Sequence, residues 1–555
     1  MTTAVRLADD LFALLSEEDP LNASQLGVAG HDDRLRDLSP EAESSLRDRA
    51  AAIAGRAEQL EGAALSVEDR LTTAVVRHEA AALLARIGCH GVEYTITDMF
   101  FAPAAELLTF LPTASVSDSD KKRDYLARLA KIPTLLGQAA DRNRQGGAAG
   151  RTAVARLVRA AIRQVEDYLA DPASDPFRRP TPPAPDPRFQ EVRDGLLADV
   201  VRPAFATYRH RLADEVLPHS RQDDMPGLCW LSSGEEWYTA LARSHTTTPH
   251  SAAELHELGL ERIKELQESF AEIASRLFGT SSYADALTTL REDLSLRCRD
   301  GEEILRLTRE AITRAGDAAP DWFTTLPEAR CSVEAAPESG PAAYYLPPSL
   351  DGERAGTCYV NTGNASKREL YGIEAVAYHE GVPGHHLQLS LAQKLSHLPM
   401  LRRTSVLTAY AEGWGVYAER LADEMGLYSG DLARLGMLAV DARRTARLVV
   451  DTGLHAFGWS RDQAVSFMCE NTARPLVEIN GDVDRFIALP GQALAYTIGQ
   501  MAILDIREKA KHTLGSRFDI RAFHDIVLRN GALPLSTLAE LVSTWARGAR
   551  EPQPH

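Results

Sequence analysis

The sequence predicts a mainly α-helical protein with a large, cleft-containing helical architecture and one small β-sheet. Apolar residues recur at helical spacing through long stretches of the 555-residue chain, which is typical of amphipathic helices. Strand-like runs are scarce and fall between residues 331 and 363. The strongest break in the helical pattern is a proline-rich stretch at 171–187.

The clearest single helix begins near residue 251. Ser251 lies three residues before Glu254, which is the arrangement of a capping box, and Pro249 precedes both. The apolar stripe that follows consists of Leu255, Leu258, Ile263, Leu266, Phe270, Ile273 and Leu277. Comparable patterns predict helices at 66–90, 120–170, 302–316, 404–426, 430–456 and 492–512.

The remaining segments suggest a division into three parts. Repeated prolines at 171–187 remove backbone donors and forbid a helix, so this stretch is predicted to be a loop. Short runs broken by Pro347, Pro348 and Gly352 predict two or three strands. We expect an N-terminal helical part, a small β element and a helical catalytic part within one continuous unit, at 1–330, 331–363 and 364–555.

Composition and charge limit the function classes. With 44% hydrophobic and 25% charged residues the chain resembles a soluble globular protein. Its formal net charge of −17 argues against a general affinity for nucleic acid or an anionic membrane, because both require a basic face. The first residues lack the charged and apolar runs of a secretory signal, so a cytoplasmic location is expected. The sequence does not indicate an oligomeric state.

The cysteines do not form a recognisable framework. They lie far apart and include no C-x-x-C pair, which argues against a zinc ribbon or a dense set of disulfides. We expect most of them to be buried free thiols. They are Cys89, Cys229, Cys298, Cys331, Cys358 and Cys469.

A cluster of candidate metal ligands lies at 379–386. His379 and His385 are six residues apart, which on a regular helix means a rise of about 9 Å and a rotation of roughly 240°. A regular helix would therefore turn the two rings apart. Because Pro383-Gly384 lies between them, we expect a bulge that swings His385 back beside His379.

His386 is the alternative second ligand. Seven residues from His379 restore the helical face, but the two Cα atoms would then be about 10 Å apart, which strains a shared metal. We therefore favour His385. The third ligand is predicted to be Glu412, which follows His385 by 27 residues. Glu419 could orient a histidine ligand through its second ring nitrogen, or be a surface carboxylate.

At this point the sequence resembles a known bacterial family, domain of unknown function 885. The resemblance covers most of the chain and is carried by His379-Glu380-x-x-Pro383-Gly384-His385-His386, Glu412-Gly-Trp-Gly-x-Tyr417-x-Glu419, Asp451-Thr-Gly-Leu-His455 and Pro490-Gly-Gln492-Ala-Leu-Ala-Tyr496.

The resemblance implies a site related to the gluzincin metallopeptidases. It also implies a helical architecture similar to thimet oligopeptidase and angiotensin-converting enzyme. Those enzymes carry H-E-x-x-H, whereas this chain has two additional residues before its second histidine. Dipeptidyl peptidase III is similar in that its motif contains one additional residue.

We expect a zinc-dependent hydrolase that acts on short peptides or modified amino-acid amides. His379, His385 and Glu412 would hold Zn²⁺, and Glu380 would be the general base for a water of lowered pKa. By analogy with related peptidases, Tyr496 and His455 are the candidate oxyanion donors. Either of these two residues could instead be structural.

Three alternatives remain open at the level of sequence. Two histidines and one carboxylate also hold Fe(II) in oxygenases, although Glu380 would then be superfluous. The chain could instead be a metal-containing binding protein for a peptide-like ligand. Finally, Arg443, Arg444 and Arg447 either bind a substrate carboxylate or, as is more common, pair with Asp451 and neighbouring acids.

Overall fold

The protein is mainly helical with one three-stranded sheet, as the sequence predicts. The computed structural model describes residues 2–60, 64–336 and 341–548. Its α-helices are α1 (Thr3–Glu18), α2 (Pro20–Gln25), α3 (Pro40–Glu58), α4 (Val67–Gly88), α5 (Pro103–Phe110), α6 (Ser119–Ala148), α7 (Ala155–Ala170), α8 (Pro187–Leu196), α9 (Arg202–Arg211), α10 (Gly234–Thr246), α11 (Ala252–Phe278), α12 (Tyr283–Glu292), α13 (Gly301–Ala318), α14 (Ile373–Glu380), α15 (His385–Lys394), α16 (Met400–Thr404), α17 (Thr408–Glu424), α18 (Asp431–His455), α19 (Arg461–Asn471), α20 (Leu476–Ala488), α21 (Ala495–Leu514), α22 (Ile520–Leu528) and α23 (Leu535–Gly548).

Local sequence signals account for several helix ends. The capping box at Ser251 is present, with Ser251 and Glu254 each accepting from the other's backbone N–H, and it starts α11. The proline-rich stretch lies between α7 and α8, and Pro187 occupies the first turn of α8. Within that stretch, Phe177 is fully buried and anchors the loop to the N-terminal core.

The three strands form the small sheet that the sequence predicts. They are β1 (Ser332–Ala336), β2 (Ala343–Leu346) and β3 (Thr357–Asn361), in the order β1-β3-β2. β1 runs parallel to β3, and β2 runs antiparallel to it. The sheet lies against α15, because the Tyr345 hydroxyl of β2 contacts Nδ1 of His386 at 2.9 Å.

One large apolar core joins the two ends of the chain. It combines Leu7 of α1 and Val75 of α4 with Trp414 of α17 and Val542 of α23. A second core is formed entirely by residues between Leu21 and Val216. Because the first core crosses residue 330, helices on both sides of that predicted boundary support the region around 379–412. The three-part division itself stays a prediction.

Among the described residues, no single helix has both the length and the apolar character needed to cross a membrane. One bent pair, Leu476–Ala488 with Gln492–Arg517 at 116°, meets the criteria of length and composition together.

Candidate metal centre

The predicted bulge is a complete break between two helices. α14 ends at Glu380 and α15 begins at His385, and the Val382–Pro383 peptide between them is cis. We expected one helix with two additional residues absorbed in it, so the structure corrects this detail. The chain turns sharply instead, and a Cβ on Gly384 would lie 2.0 Å from the His379 carbonyl oxygen. Only glycine fits there.

The turn is attached to the neighbouring helix α17. The indole N–H of Trp414 donates to the Pro383 carbonyl at 2.9 Å, and Trp414 is fully buried. This hydrogen bond fixes the position of the turn along α17. As a result, the rings of His379 and His385 lie 4.6 Å apart between centroids, on the side of α17 that carries Glu412.

His379, His385 and Glu412 together form a candidate metal site. Each offers a ligand atom, and these atoms all lie within 4.8 Å of one another. Glu412 Oε2 is 3.3 Å from His379 Nε2 and 3.5 Å from His385 Nε2. In a tetrahedral zinc site with bonds of about 2.1 Å, ligand atoms are separated by about 3.4 Å. The two distances from Glu412 therefore match the edge of a tetrahedral zinc site.

The exposure of the cluster suits catalysis better than a closed structural site. The side chain of His379 is 4% exposed, whereas those of His385 and Glu412 are 12% and 20% exposed. Three protein ligands on a partly open face leave a position for water or substrate, as catalytic zinc sites do.

His379 lies across α17 above a glycine. A Cβ on Gly415 would fall 2.4 Å from Cε1 of the His379 ring, so no larger residue permits this approach. Glu412 and Glu419 lie one turn to either side on the same face of the helix. The ring therefore points Nε2 at Glu412 and Nδ1 at Glu419, whose Oε1 is 2.8 Å away.

Glu419 is in turn held by an arginine of α18. Arg444 Nη1 donates to Glu419 Oε1, and Arg444 Nη2 lies 3.2 Å from His379 Nδ1. Glu419 and Arg444 are 1% and 4% exposed in their side chains. A carboxylate behind a histidine ligand fixes the ring and its tautomer, so Glu419 is the orienting group that the sequence offered as one of two readings.

The electrostatics of the cluster favour a cation. Burial alone would raise the pKa of Glu412, but hydrogen bonds to His379 and His385 hold it well below its usual range. Burial and Arg444 oppose protonation of His379, yet the carboxylates of Glu412 and Glu419 raise its pKa to about 9. Negative charge thus outweighs positive charge around the His379 ring.

Glu380 and Tyr496 both lie beside the cluster. Glu380 follows His379 directly and is 9% exposed, and its carboxylate makes no hydrogen bond to any described residue. The ring of Tyr496 stacks near that of His379 at 6.4 Å between centroids. Its hydroxyl accepts a 3.4 Å hydrogen bond from Gln492 Nε2.

His455 and His386 do not join the cluster. His455 Nδ1 accepts from the Leu228 N–H at 3.1 Å, and its Nε2 bonds the Phe486 carbonyl at 2.9 Å. Because backbone groups occupy both nitrogens, His455 is a structural residue here, and its prediction as an oxyanion donor is corrected. His386 contacts Tyr345 and the Ala329 carbonyl, which excludes it from the ligand set.

Sequence reasoning did not assign the roles of two residues of the site. Gly415 was read only as part of a motif, although a glycine inside a helix is itself a signal of close approach. Arg444 was expected either to bind a substrate carboxylate or to pair with Asp451 and neighbouring acids; it pairs with Glu419, whereas Asp451 accepts from the Tyr238 hydroxyl and the Gly491 N–H. No local pattern links Arg444 to Glu419, which lies on another helix.

Comparison with known proteins identifies the family. A model described as a bacterial protein of unknown function (DUF885) matches residues 20–542. A crystal structure from Colwellia psychrerythraea is similar over 99% of this chain and 100% of that one, with 24% identity and a TM-score of 0.91. One from Shewanella oneidensis covers 98% and 100%, with 18% identity and a TM-score of 0.72.

Those two structures are each described as a "putative lipoprotein", and at this identity they show a shared fold alone. No curated protein matches the chain. The family resemblance that the motifs suggested is confirmed by the match over most of the sequence. The chain therefore belongs to the bacterial family of unknown function DUF885.

Proposed function

We propose that this protein is a zinc-dependent hydrolase of peptide or amide bonds. The observation that carries the proposal is the spacing of His379, His385 and Glu412, whose ligand atoms fit the edges of a tetrahedral zinc site. The ligand order, with a glutamate after two histidines, also supports an architecture similar to thimet oligopeptidase and angiotensin-converting enzyme.

The three ligands would supply two imidazole nitrogens and one carboxylate. Zinc bound in this way polarises a carbonyl group and lowers the pKa of a coordinated water to about 7. Glu419 and Arg444 keep the His379 ring in the orientation that presents Nε2 to the ion. The partial exposure of His385 and Glu412 gives a substrate access to the same point.

Glu380 is the proposed general base that would move the proton. Its carboxylate is tied to no other described side chain, so it is available to accept a proton from the attacking water. It would then return that proton to the leaving amine. An oxygenase with the same three ligands has no need of such a base, which is why we rank hydrolysis above Fe(II) chemistry.

Tyr496 is the candidate donor to the oxyanion. Its ring is held beside His379 and under the guanidinium groups of Arg444 and Arg447, at 5.8 and 5.1 Å from the ring centroid. Since both ring nitrogens of His455 bond to backbone groups, Tyr496 is the remaining candidate of the two predicted oxyanion donors. One donor of this kind is worth about 3 kcal/mol in comparable sites.

The experiment is metal analysis combined with a peptide-library digest read by mass spectrometry. We expect one zinc per chain, hydrolysis of short peptides or amino-acid amides, and loss of both metal and turnover with a chelator. Glu380→Gln should retain zinc and fold while turnover drops by at least about 10³-fold.

Full activity of Glu380→Gln would overturn the proposed mechanism. Stoichiometric iron with oxygen-dependent turnover would instead indicate an oxygenase. Tight retention of peptides by wild-type protein without any cleavage would indicate a binding protein. The cytoplasmic location stays a prediction, and fractionation of the native host tests it.

A further inference from the structure

Two arginines beside the candidate metal centre lack the partners that a buried charge requires. Arg443 and Arg447 lie four residues apart on α18, so they share one face of that helix. Arg447 is 5% exposed and Arg443 is partly buried. Neither guanidinium group makes a hydrogen bond to any residue that the structure describes, and the Nε of each is buried without a partner.

The acid nearest to this pair is shared with a third arginine. The carboxylate nearest to Arg447 among the described residues is Asp482, at 3.9 Å, and Arg474 lies at the same distance from it. Glu478 is bound by Arg474 at 2.7 Å. Burial and the charges of Arg474 and Arg447 lower the pKa of the Arg443 guanidinium to about 9.

Unpartnered guanidinium groups in a buried setting indicate a missing anion. Burying a charge without a hydrogen-bonded counter-charge is costly, so such groups are retained where a ligand completes them. Guanidinium forms bidentate bonds with carboxylates and phosphates, and two adjacent guanidiniums can hold one such group from both sides.

The arginine pair lies close enough to the candidate metal centre to contact a substrate there. Tyr496 lies close to both groups, with its ring centroid 5.1 Å from the Arg447 guanidinium carbon and 6.4 Å from the His379 ring. An extended peptide advances about 3.3 Å per residue. Because the two ring distances together correspond to about three to four extended residues, an anion held by Arg447 is within reach of a short peptide whose carbonyl is at the metal.

We propose that Arg443 and Arg447 form a carboxylate-binding subsite, and that the substrate is a short peptide or N-acyl amino acid with a free C-terminal carboxylate. This inference rests on the proposed hydrolase function and names its substrate class. The subsite holds the carboxylate of the leaving group, and Tyr496 lies close to both the subsite and the candidate metal centre. An amidated peptide leaves both guanidinium groups without a counter-charge, so it binds poorly.

The test compares two libraries of N-acetyl tripeptides, one with free C-terminal carboxylates and one with amides. Zinc-loaded Glu380→Gln protein is mixed with both, and the retained peptides are measured by ultrafiltration and mass spectrometry. We expect free acids to be enriched at least about tenfold. The enrichment should vanish in Glu380→Gln protein that also carries Arg443→Gln and Arg447→Gln.

Arg434→Gln is the matched control, because Arg434 lies on the same helix and pairs with Asp423 away from the cluster. It should keep the enrichment. Equal retention of acids and amides, retention of neither, or enrichment that survives the double substitution overturns the proposal. Displacement by inorganic phosphate but not by free-acid peptides would also overturn it in favour of a phosphate site.

Two further measurements separate this inference from its premise. Wild-type protein that retains free acids but hydrolyses neither library would refute the hydrolase and leave the carboxylate subsite standing. Arg447→Met removes the charge and keeps an apolar stem, so its melting temperature should equal or exceed that of the wild type. A fall of many degrees would mean that the charge is already paired, which contradicts the proposal.

Discussion

Two segments form the candidate metal centre by opposite means. The segment that carries His379 and His385 is broken between α14 and α15, whereas α17, which carries Glu412 and Glu419, is one continuous helix. The continuous helix supplies both a ligand and the support of the other ligand. The broken segment leaves Nδ1 of His385 buried with no hydrogen-bond partner among the described residues. The continuous helix therefore holds its side chains more firmly than the broken segment holds His385.

The largest expected effect distinguishes His385 from His386, the two histidines that follow the break. His385→Ala should abolish stoichiometric zinc and reduce turnover by at least about 10³-fold, because one of three ligands is lost. His386→Ala should keep zinc and turnover while lowering the free energy of unfolding by about 1–3 kcal/mol, since the buried Tyr345 hydroxyl loses a partner. Metal analysis, turnover and urea unfolding measure these outcomes. Retained zinc in His385→Ala would contradict the assignment.

The next effect tests how closely the broken segment must approach the continuous helix. Gly415→Ala places a methyl group 2.4 Å from the His379 ring, so we expect zinc affinity to fall by more than about 100-fold. Gly481→Ala is the matched control, because a Cβ there meets nothing within 4 Å in α20. It should leave zinc binding unchanged and stabilise the fold by about 0.5–1 kcal/mol. Equal zinc affinity in the two variants would refute the close approach.

A smaller effect concerns the support of His379. Glu419→Gln keeps the size of the side chain but removes the charge that holds Nδ1–H and Arg444. Zinc affinity should fall by about 10–100-fold, and turnover at saturating zinc should recover most of its wild-type value. Competition with a chromogenic chelator measures the affinity. Wild-type zinc affinity in Glu419→Gln would contradict the orienting role of Glu419.

The smallest effect concerns the anchoring of α17. The Tyr417 hydroxyl contacts Nε2 of His524, and burial lowers the pKa of His524 to about 3. In the unfolded chain a histidine has a pKa of about 6.5, so at lower pH the unfolded state binds more protons than the folded state. The stability that His524 contributes is therefore fully present above pH 6.5 and is lost as the pH falls towards 3. Between pH 6 and 4, the free energy of unfolding should therefore fall by ~1.4 kcal/mol per pH unit.

His524→Gln should reduce the pH dependence of the unfolding free energy by that amount. Urea unfolding at pH 7, 6, 5 and 4 tests this. An unchanged slope would show that His524 does not titrate on unfolding.

The same contrast explains what the sequence could predict. The candidate ligand Glu412 and Glu419 could be predicted together because they repeat on one face of a continuous helix, where spacing determines direction. His385 was preferred over His386 only by excluding a regular helix, and the actual turn depends on Trp414, which comes from a different helix. His455 was misjudged because its partners belong to residues 228 and 486, which no local pattern relates to it.

The core that combines Leu7 with Val542 has a consequence for the order in which the protein can be made. Helices α1 and α4 leave the ribosome long before α17, α21 and α23, against which part of their apolar surface packs. At about 5–20 residues per second, roughly 20–80 s pass before residue 400 is synthesised. During that interval the nascent chain exposes apolar surface that α17, α21 and α23 later cover. A chain that ends before α17 would therefore leave part of the apolar surface of α1 and α4 uncovered.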